Sequence, residues 1–180
     1  MQQQRLSLAR FIKTSSNMKQ VDEIIYDAIC ADEGIMALIA YTTPQGGTAY
    51  AIKSTCFEVP PTEMDNTPVP YIIVHDAGFQ NQQTTKDNVW EACEDQVLTI
   101  VEVAASDPDG VKRIVKKVRK AIETYICSLY TQGEDIPELQ SLTSDGIDWD
   151  WTIPCYFQHL NYQCITKADI DDEQEDPTND

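Results

Sequence analysis

VLTIVEVAASDPDGVKRIVKKVRKAIETYICSLY, residues 97–130, holds a strand and a helix in succession and thereby sets the fold class. In its first part Val97, Thr99, Val101 and Val103 alternate with Leu98, Ile100, Glu102 and Ala104, the period of two expected of a half-buried strand. In its second part Val111, Ile114, Val115, Val118, Ala121, Ile122, Tyr125, Ile126 and Leu129 recur every three or four residues, which predicts a helix with one apolar face. Ser106 or Asp107 supplies the N-cap, Pro108 fits the first helical position where no N–H is needed, and Asp109 favours the positive end of the helix dipole. The opposite face carries Lys112, Arg113, Lys116, Lys117, Arg119 and Lys120, six of the chain's 13 basic residues within nine positions.

Working upstream, Pro70-Tyr-Ile-Ile-Val-His75 is a β-branched and aromatic run closed by Asp76-Ala-Gly78, which predicts a strand. The polar stretch from Gly78 to Asn88 then separates it from a second strand over 89–104, so the simplest pairing is an antiparallel hairpin with a long loop. Nearer the start, Val21, Ile24, Ile25, Ala28 and Ile29 predict a helix over 19–30, and Ile35, Met36, Leu38 and Ile39 a short one over 32–40. Residues 42–70, with Pro44, Pro60, Pro61, Pro68, Pro70 and Gly46-Gly47, read as loop with a strand near 49–58. Downstream, 133–151 reads as an acidic loop with a short strand at 147–152, and Ile153 to Ile165 alternates as a further strand. The order predicts an α+β fold: a small, mostly antiparallel sheet with an N-terminal helix and a long amphipathic helix packed on one face.

Length and composition frame this domain. The chain has 180 residues, 42% hydrophobic and 24% charged, enough for a sizeable core and incompatible with wholesale disorder. Residues 1–18, rich in Gln, Ser and Asn around Leu6, Leu8, Phe11 and Ile12, read as an arm; 19–168 as a single domain; 169–180, with seven acidic residues and no basic ones, as a disordered tail. Thirty acidic against 13 basic residues give a net charge of −17, too acidic for a protein that grips nucleic acid by neutralising phosphates. No apolar run approaches the roughly 20 residues of a membrane helix, and Met-Gln-Gln-Gln-Arg at the start lacks the pattern of a signal peptide, so a soluble chain that makes no membrane contact is expected. Cys30, Cys56, Cys93, Cys127, Cys155 and Cys164 contain no Cys-x-x-Cys and read as reduced, mostly buried thiols.

Candidate sites are few. His75 and His159, the two histidines, have no Cys or Asp at ligand spacing, so strand residues are expected there and no metal site. Asp145, Asp148 and Asp150 in Ser-Asp-Gly-Ile-Asp-Trp-Asp-Trp are candidates for a cation site or a hydrolytic carboxylate pair, against the plainer reading of solvated acids at a turn. Asp107-Pro-Asp-Gly lacks the downstream glutamate of a calcium loop, with Val118 in that position, and is explained by capping. Gly46-Gly47 lacks the lysine of a phosphate loop. No nucleophile elbow or other catalytic constellation is present, so neither enzymatic activity nor a cofactor is expected. The basic face of the long helix, Lys112, Arg113, Lys116, Lys117 and Lys120, is either a solvated surface or a docking face for an acidic surface of a neighbouring copy or partner.

The pattern as a whole resembles a known family. An amphipathic N-terminal helix and a short second one precede a Pro-rich loop and Pro-Val-Pro-Tyr-Ile-Ile-Val at 68–74; a polar loop with Thr84 and Thr85 leads to Val-Glu-Val-Ala-Ala-Ser-Asp at 101–107; and the helix opens with Gly-Val-Lys-Arg-Ile-Val at 110–115. This order and these phrases, over residues 20–166, resemble the tail terminator, or tail completion, proteins of tailed bacteriophages and related neck proteins. The resemblance implies an α+β sandwich that closes into a ring, of six copies in most long-tailed phages or twelve in short-tailed neck rings. It also implies a structural, non-enzymatic role in the virion. The ring joins the head connector on the portal side to the tail-tube proteins, and genomic DNA passes through it without specific binding; assembly occurs in the host cytoplasm. The acidic tail, the Gln-rich start and a longer 41–67 loop depart from the family's pattern. A conduit suits carboxylates, because cations on its wall would trap phosphates, and Glu134, Asp135, Glu138, Asp145, Asp148 and Asp150 are the candidates for the lumen or a docking rim. Two alternatives from other classes are an acidic cytosolic adaptor or inhibitor that mimics nucleic acid, and a hydrolase using the Asp145–Asp150 carboxylates.

Overall fold

The computed structural model describes residues 20–55, 61–62, 67–83, 93–134 and 136–167; the expected arm at 1–18, the tail at 169–180 and Asp135 lie outside the described residues. Along the chain run α1 (Val21–Cys30), α2 (Glu33–Met36), β1 (Ala40–Thr42), β2 (Thr48–Tyr50), β3 (Ile52–Lys53), β4 (Tyr71–Gln83), β5 (Cys93–Ala105), α3 (Pro108–Gln132), β6 (Glu138–Ser144), β7 (Asp148–Asp150) and β8 (Cys155–Lys167). The fold is α+β. Its main sheet has the order β3-β4-β5-β8-β6, with β7 also paired to β8; only the β3–β4 pair is parallel.

The long helix forms where its sequence pattern places it. Of the two N-cap candidates it is Asp107 that caps, its Oδ1 accepting the Gly110 N–H at 2.7 Å. At the other end Gly133 adopts φ 74°, a left-handed conformation that costs glycine little and ends the helix. Val111, Ile114, Val118 and Ile122 are completely buried. They belong to one core cluster with Val101, Val103, Leu160, Tyr162 and the α1 residues Val21, Ile25, Ala28 and Ile29. Both α1 and α3 thus lie on the sheet face formed by Ile72, Val74, Thr99, Val101, Val103, Leu160, Tyr162 and Cys164. Successive strand residues point to opposite faces, so Tyr71, Ile73, His75, Ile100, Glu102, Phe157 and His159 stand on the other.

Two bulges keep these faces consistent. In β4 the register with β5 shifts between Asp76 and Phe79, where Gly78 takes φ 107° and the Asp76 Oδ1 accepts the Gly78 N–H at 2.8 Å. The strand therefore continues through Gln83, beyond the expected end at His75, because the extra residue absorbs the kink. In β6 the register shifts between Leu139 and Ser141. Leu139 and Leu142, three apart and on opposite faces in a regular strand, both reach the helix-covered face opposite Cys164 and Tyr162.

Two stretches expected to be mostly loop hold more strand than the segments expected near 49–58, where β2 and β3 lie, and at 147–152, where β7 lies. Within 42–70, β1 and β2 pair antiparallel across a turn in which the Gly47 N–H reaches the Thr43 Oγ1 at 3.1 Å and Gly46 has φ 82°. Ala51 joins the small sheet to the large one: its N–H donates to the Ile39 carbonyl and its carbonyl accepts the Ile72 N–H, both at 2.9 Å. These strands are two and three residues long, too short for alternation to show. Within 133–151, β6 and β7 run in line along the edge of β8 not taken by β5; the bulge at Gln140 hides the period of β6, and the polar composition of both suits an edge. The second helix is also shorter than expected, ending at Met36.

Ile122→Ala is expected to lower the unfolding free energy by about 2–5 kcal/mol, and Asp107→Ala by about 1 kcal/mol through the lost cap. The exposed control Thr124→Ala stays within about 0.5 kcal/mol. Urea unfolding followed by circular dichroism measures all three.

Candidate functional site

Seating the apolar stripe of α3 on the sheet leaves Lys112, Arg113, Lys116, Lys117, Arg119 and Lys120 exposed on the outward side. Lys112 meets Asp109 at 3.2 Å and Arg119 meets Glu123 at 4.0 Å, both pairs solvated and so worth little in stability. Among the described residues Arg113, Lys116, Lys117 and Lys120 make no ion pair. The lysine and arginine side chains form a row, because positions 112, 116 and 120 stack one turn apart.

The acidic candidates do not gather into one site. Glu134 is exposed just past the helix end, its N–H donating to the Leu129 carbonyl at 3.1 Å, and Glu138 is exposed at the start of β6. Asp148 and Asp150 lie on β7. The Asp148 Oδ1 accepts the Trp149 N–H at 2.8 Å. The Asp150 Oδ1 accepts the Thr152 and Ile153 N–H groups at 2.7 and 3.2 Å, which closes the turn from β7 into β8. The plainer reading of these two acids, turn residues feeding a strand, accounts for their contacts.

Asp145 belongs to a grouping that sequence spacing does not reveal. His159 of β8 lies directly opposite Glu102 of β5, and its Nε2 is 3.2 Å from the Glu102 Oε2. Its Nδ1 is 3.5 Å from the Asp145 Oδ2. The two carboxylates approach different ring nitrogens, so they bracket the imidazole and do not converge on a common point. The Phe157 ring leans against His159 with centroids 5.2 Å apart. Beside this group the buried Tyr71 hydroxyl lies 3.8 Å from the Cys155 Sγ, and burial, followed by Cys155 and Glu102, pushes its ionisation well above the ordinary phenol range. The sequence signal was Glu102 itself, the one charge in the otherwise apolar and Thr-containing stretch 97–105; finding its partner required the register with β8, 57 residues away.

A third feature is aromatic. At the tip of the β7–β8 hairpin Trp149 packs edge-on against Tyr156, centroids 4.7 Å apart, and against Trp151 at 6.2 Å. Trp151 is 90% exposed. An indole this exposed and still held by a neighbouring ring is unusual, since Trp buries most of its surface in ordinary folds.

The lysine row lies outside the helix layer, and Glu102, Asp145 and Asp148 lie on the sheet face away from it; the helix layer also carries acids, among them Asp22, Glu23 and Asp27 of α1, Glu33 of α2, and Asp109 and Glu123 of α3. Among the described residues no three His, Cys, Asp or Glu side chains come together as metal ligands, and no helix is long and apolar enough to cross a membrane.

Comparison with known proteins adds one likeness. No family model and no curated protein matches the chain. Among solved structures 24 chains match; one, in a structure described as the virion of a native gene transfer agent (GTA) particle, is 12% identical with a TM-score of 0.45, over 82% of this chain and 95% of that one.

The thiols were expected to be mostly buried. Of the four whose side chains are described, Cys155 and Cys164 are buried, Cys30 is half-buried and Cys127 is exposed, and burial pushes Cys164 up to about 11. Iodoacetamide at neutral pH is therefore expected to modify Cys127 well before Cys155 or Cys164, read from the modified peptides by mass spectrometry. The raised thiol also sets a pH dependence. The unfolded chain loses the Cys164 proton near pH 9, while the native state keeps it until about 11, so the unfolded state binds fewer protons in this window and stability falls as pH rises through it. Urea midpoints measured across that window should fall, and fall less in Cys164→Val.

Proposed function

We propose that this chain is a structural, non-enzymatic subunit of a phage-like virion, a tail terminator or neck ring protein at the junction of head connector and tail. The observation that carries the reading is a pair of oppositely charged patches on the two sides of a two-layer fold, a row of lysines outside the helices and a group of carboxylates on the opposite sheet face. Two different patches on one molecule that attract each other generate a head-to-tail contact, and such contacts close into rings or extend as filaments. The sequence resemblance supports the same reading, with six or twelve copies, portal-side and tail-tube partners and a place in the virion.

The contacts of these acidic groups are those of structural residues. Asp148 and Asp150 are engaged by backbone amides of their own turn, and His159 has a carboxylate at each nitrogen. In the ring, DNA meets a protein of net charge −17 per copy, a wall that leaves the polymer mobile. Glu134 and Glu138, exposed and without ion pairs among the described residues, are the lumen candidates.

Native mass spectrometry of the full chain, alone and with purified tail tubes, tests this: a closed ring of a single copy number is expected, in either condition. A chain that stays monomeric in both contradicts the reading. The same preparation should show no retention of double-stranded DNA in a gel-shift assay at 150 mM salt; tight binding there counts against a conduit.

A further inference from the structure

We infer that the contact between copies is formed by the acidic hairpin end of one copy, Asp145, Asp148 and Trp151, seated on the lysine row of α3 of the next, Lys112, Lys116 and Lys120. This rests on the ring reading above and names the surfaces that would make it.

The first argument is charge. At −17 per copy, identical molecules repel one another at long range, so they meet only where a patch of the opposite sign is presented. The lysine row is the one dense basic surface among the described residues, holding six of the 13 basic residues of the chain. Within one molecule it meets Asp109 and Glu123 of its own helix in solvated pairs, but it cannot reach Asp145 or Asp148. Val111, Ile114, Val118 and Ile122 bury the inner side of α3 and turn the lysines outward, whereas Asp148 stands opposite Phe157 on the sheet face away from the helices. The attraction is therefore available only between copies.

The second argument is Trp151, 90% exposed at the hairpin turn three residues beyond Asp148. Large aromatic rings at the centre of an interface carry much of its affinity, and an indole is the best ring partner for a lysine ammonium and its aliphatic stem. A Trp held by Trp149 at 6.2 Å loses little freedom on docking. The third is spacing. Asp145 stands beside His159 and Asp148 opposite Phe157, two residues along β8 and so about 7 Å apart, and one helical turn from Lys112 to Lys116 or from Lys116 to Lys120 spans about 6 Å, so two carboxylates match two successive lysines. Asp145 also keeps a side-chain exposure of 65% despite its contact with His159, which leaves it free to face a partner.

Sedimentation velocity on two reversal variants tests the assignment. Lys112→Glu/Lys116→Glu/Lys120→Glu makes both patches acidic, and Asp145→Lys/Asp148→Lys makes both basic. Each alone is expected to weaken self-association at least tenfold at low salt, and Trp151→Ala to weaken it as well. Mixed one to one, the two reversal variants are expected to recover association, because each now presents the patch the other needs; recovery also shows that both fold. Unchanged association in either reversal variant, or no recovery on mixing, overturns the interface while leaving a ring built on other surfaces intact. A wild-type chain that stays monomeric at every concentration, with and without tail tubes, overturns the ring reading together with the interface.

Discussion

Everything in this molecule follows from the seating of α3 on β5 and β8. The helix offers Val111, Ile114, Val118 and Ile122, and the strands offer Val101, Val103, Leu160 and Tyr162; all are buried in one cluster. Burial of such side chains contributes about 1.5–3 kcal/mol each, far more than any solvated charge pair on the surface. The apolar seam therefore decides the orientation of the helix, and the six basic residues of its other face go outward as a consequence. Among the described residues no helix covers the second sheet face, and there Glu102, His159 and Asp145 assemble.

Most of this packing is legible in the sequence because it is repetitive. The stripe of α3, the alternation in 97–104 and the caps at Asp107 and Pro108 each state a period or a turn chemistry that local physics enforces. What was not legible breaks the period. A strand near 49–58 was legible, but β1 and the division into β2 and β3 were not, because strands this short do not alternate and Ala51 gives no sign that it bridges two sheets. In β6 the bulge at Gln140 disguises a half-apolar strand as a polar loop. The candidate surfaces divide in the same way. The lysine row was visible as a helical face, but the bracketing of His159 by Glu102 and Asp145 depends on a cross-strand register and a turn, and the exposure of Trp151 depends on its place at a hairpin tip.

The separation of charge gives the net value of −17 a different meaning from solubility alone. Uniformly spread, it would keep copies apart. With the basic residues concentrated on one face of α3 and Glu102, Asp145 and Asp148 grouped on the opposite sheet face, each copy offers one patch and accepts the other. Electrostatic pairing of this kind governs approach and orientation more than final affinity, and an aromatic anchor such as Trp151 would then supply the lasting contact. It is also sensitive to salt, since screening lengths are about 8 Å under physiological conditions.

Zero-length cross-linking puts the central claim to its most direct test. A carbodiimide condenses a carboxylate with a lysine amine, with loss of water, only where the two are in contact. Applied to a mixture of ¹⁴N- and ¹⁵N-labelled wild-type chain under assembling conditions, it is expected to give isotopically mixed, hence intermolecular, links from Asp145 or Asp148 to Lys112, Lys116 or Lys120. Assemblies whose mixed-isotope links join other surfaces and never these would contradict the account.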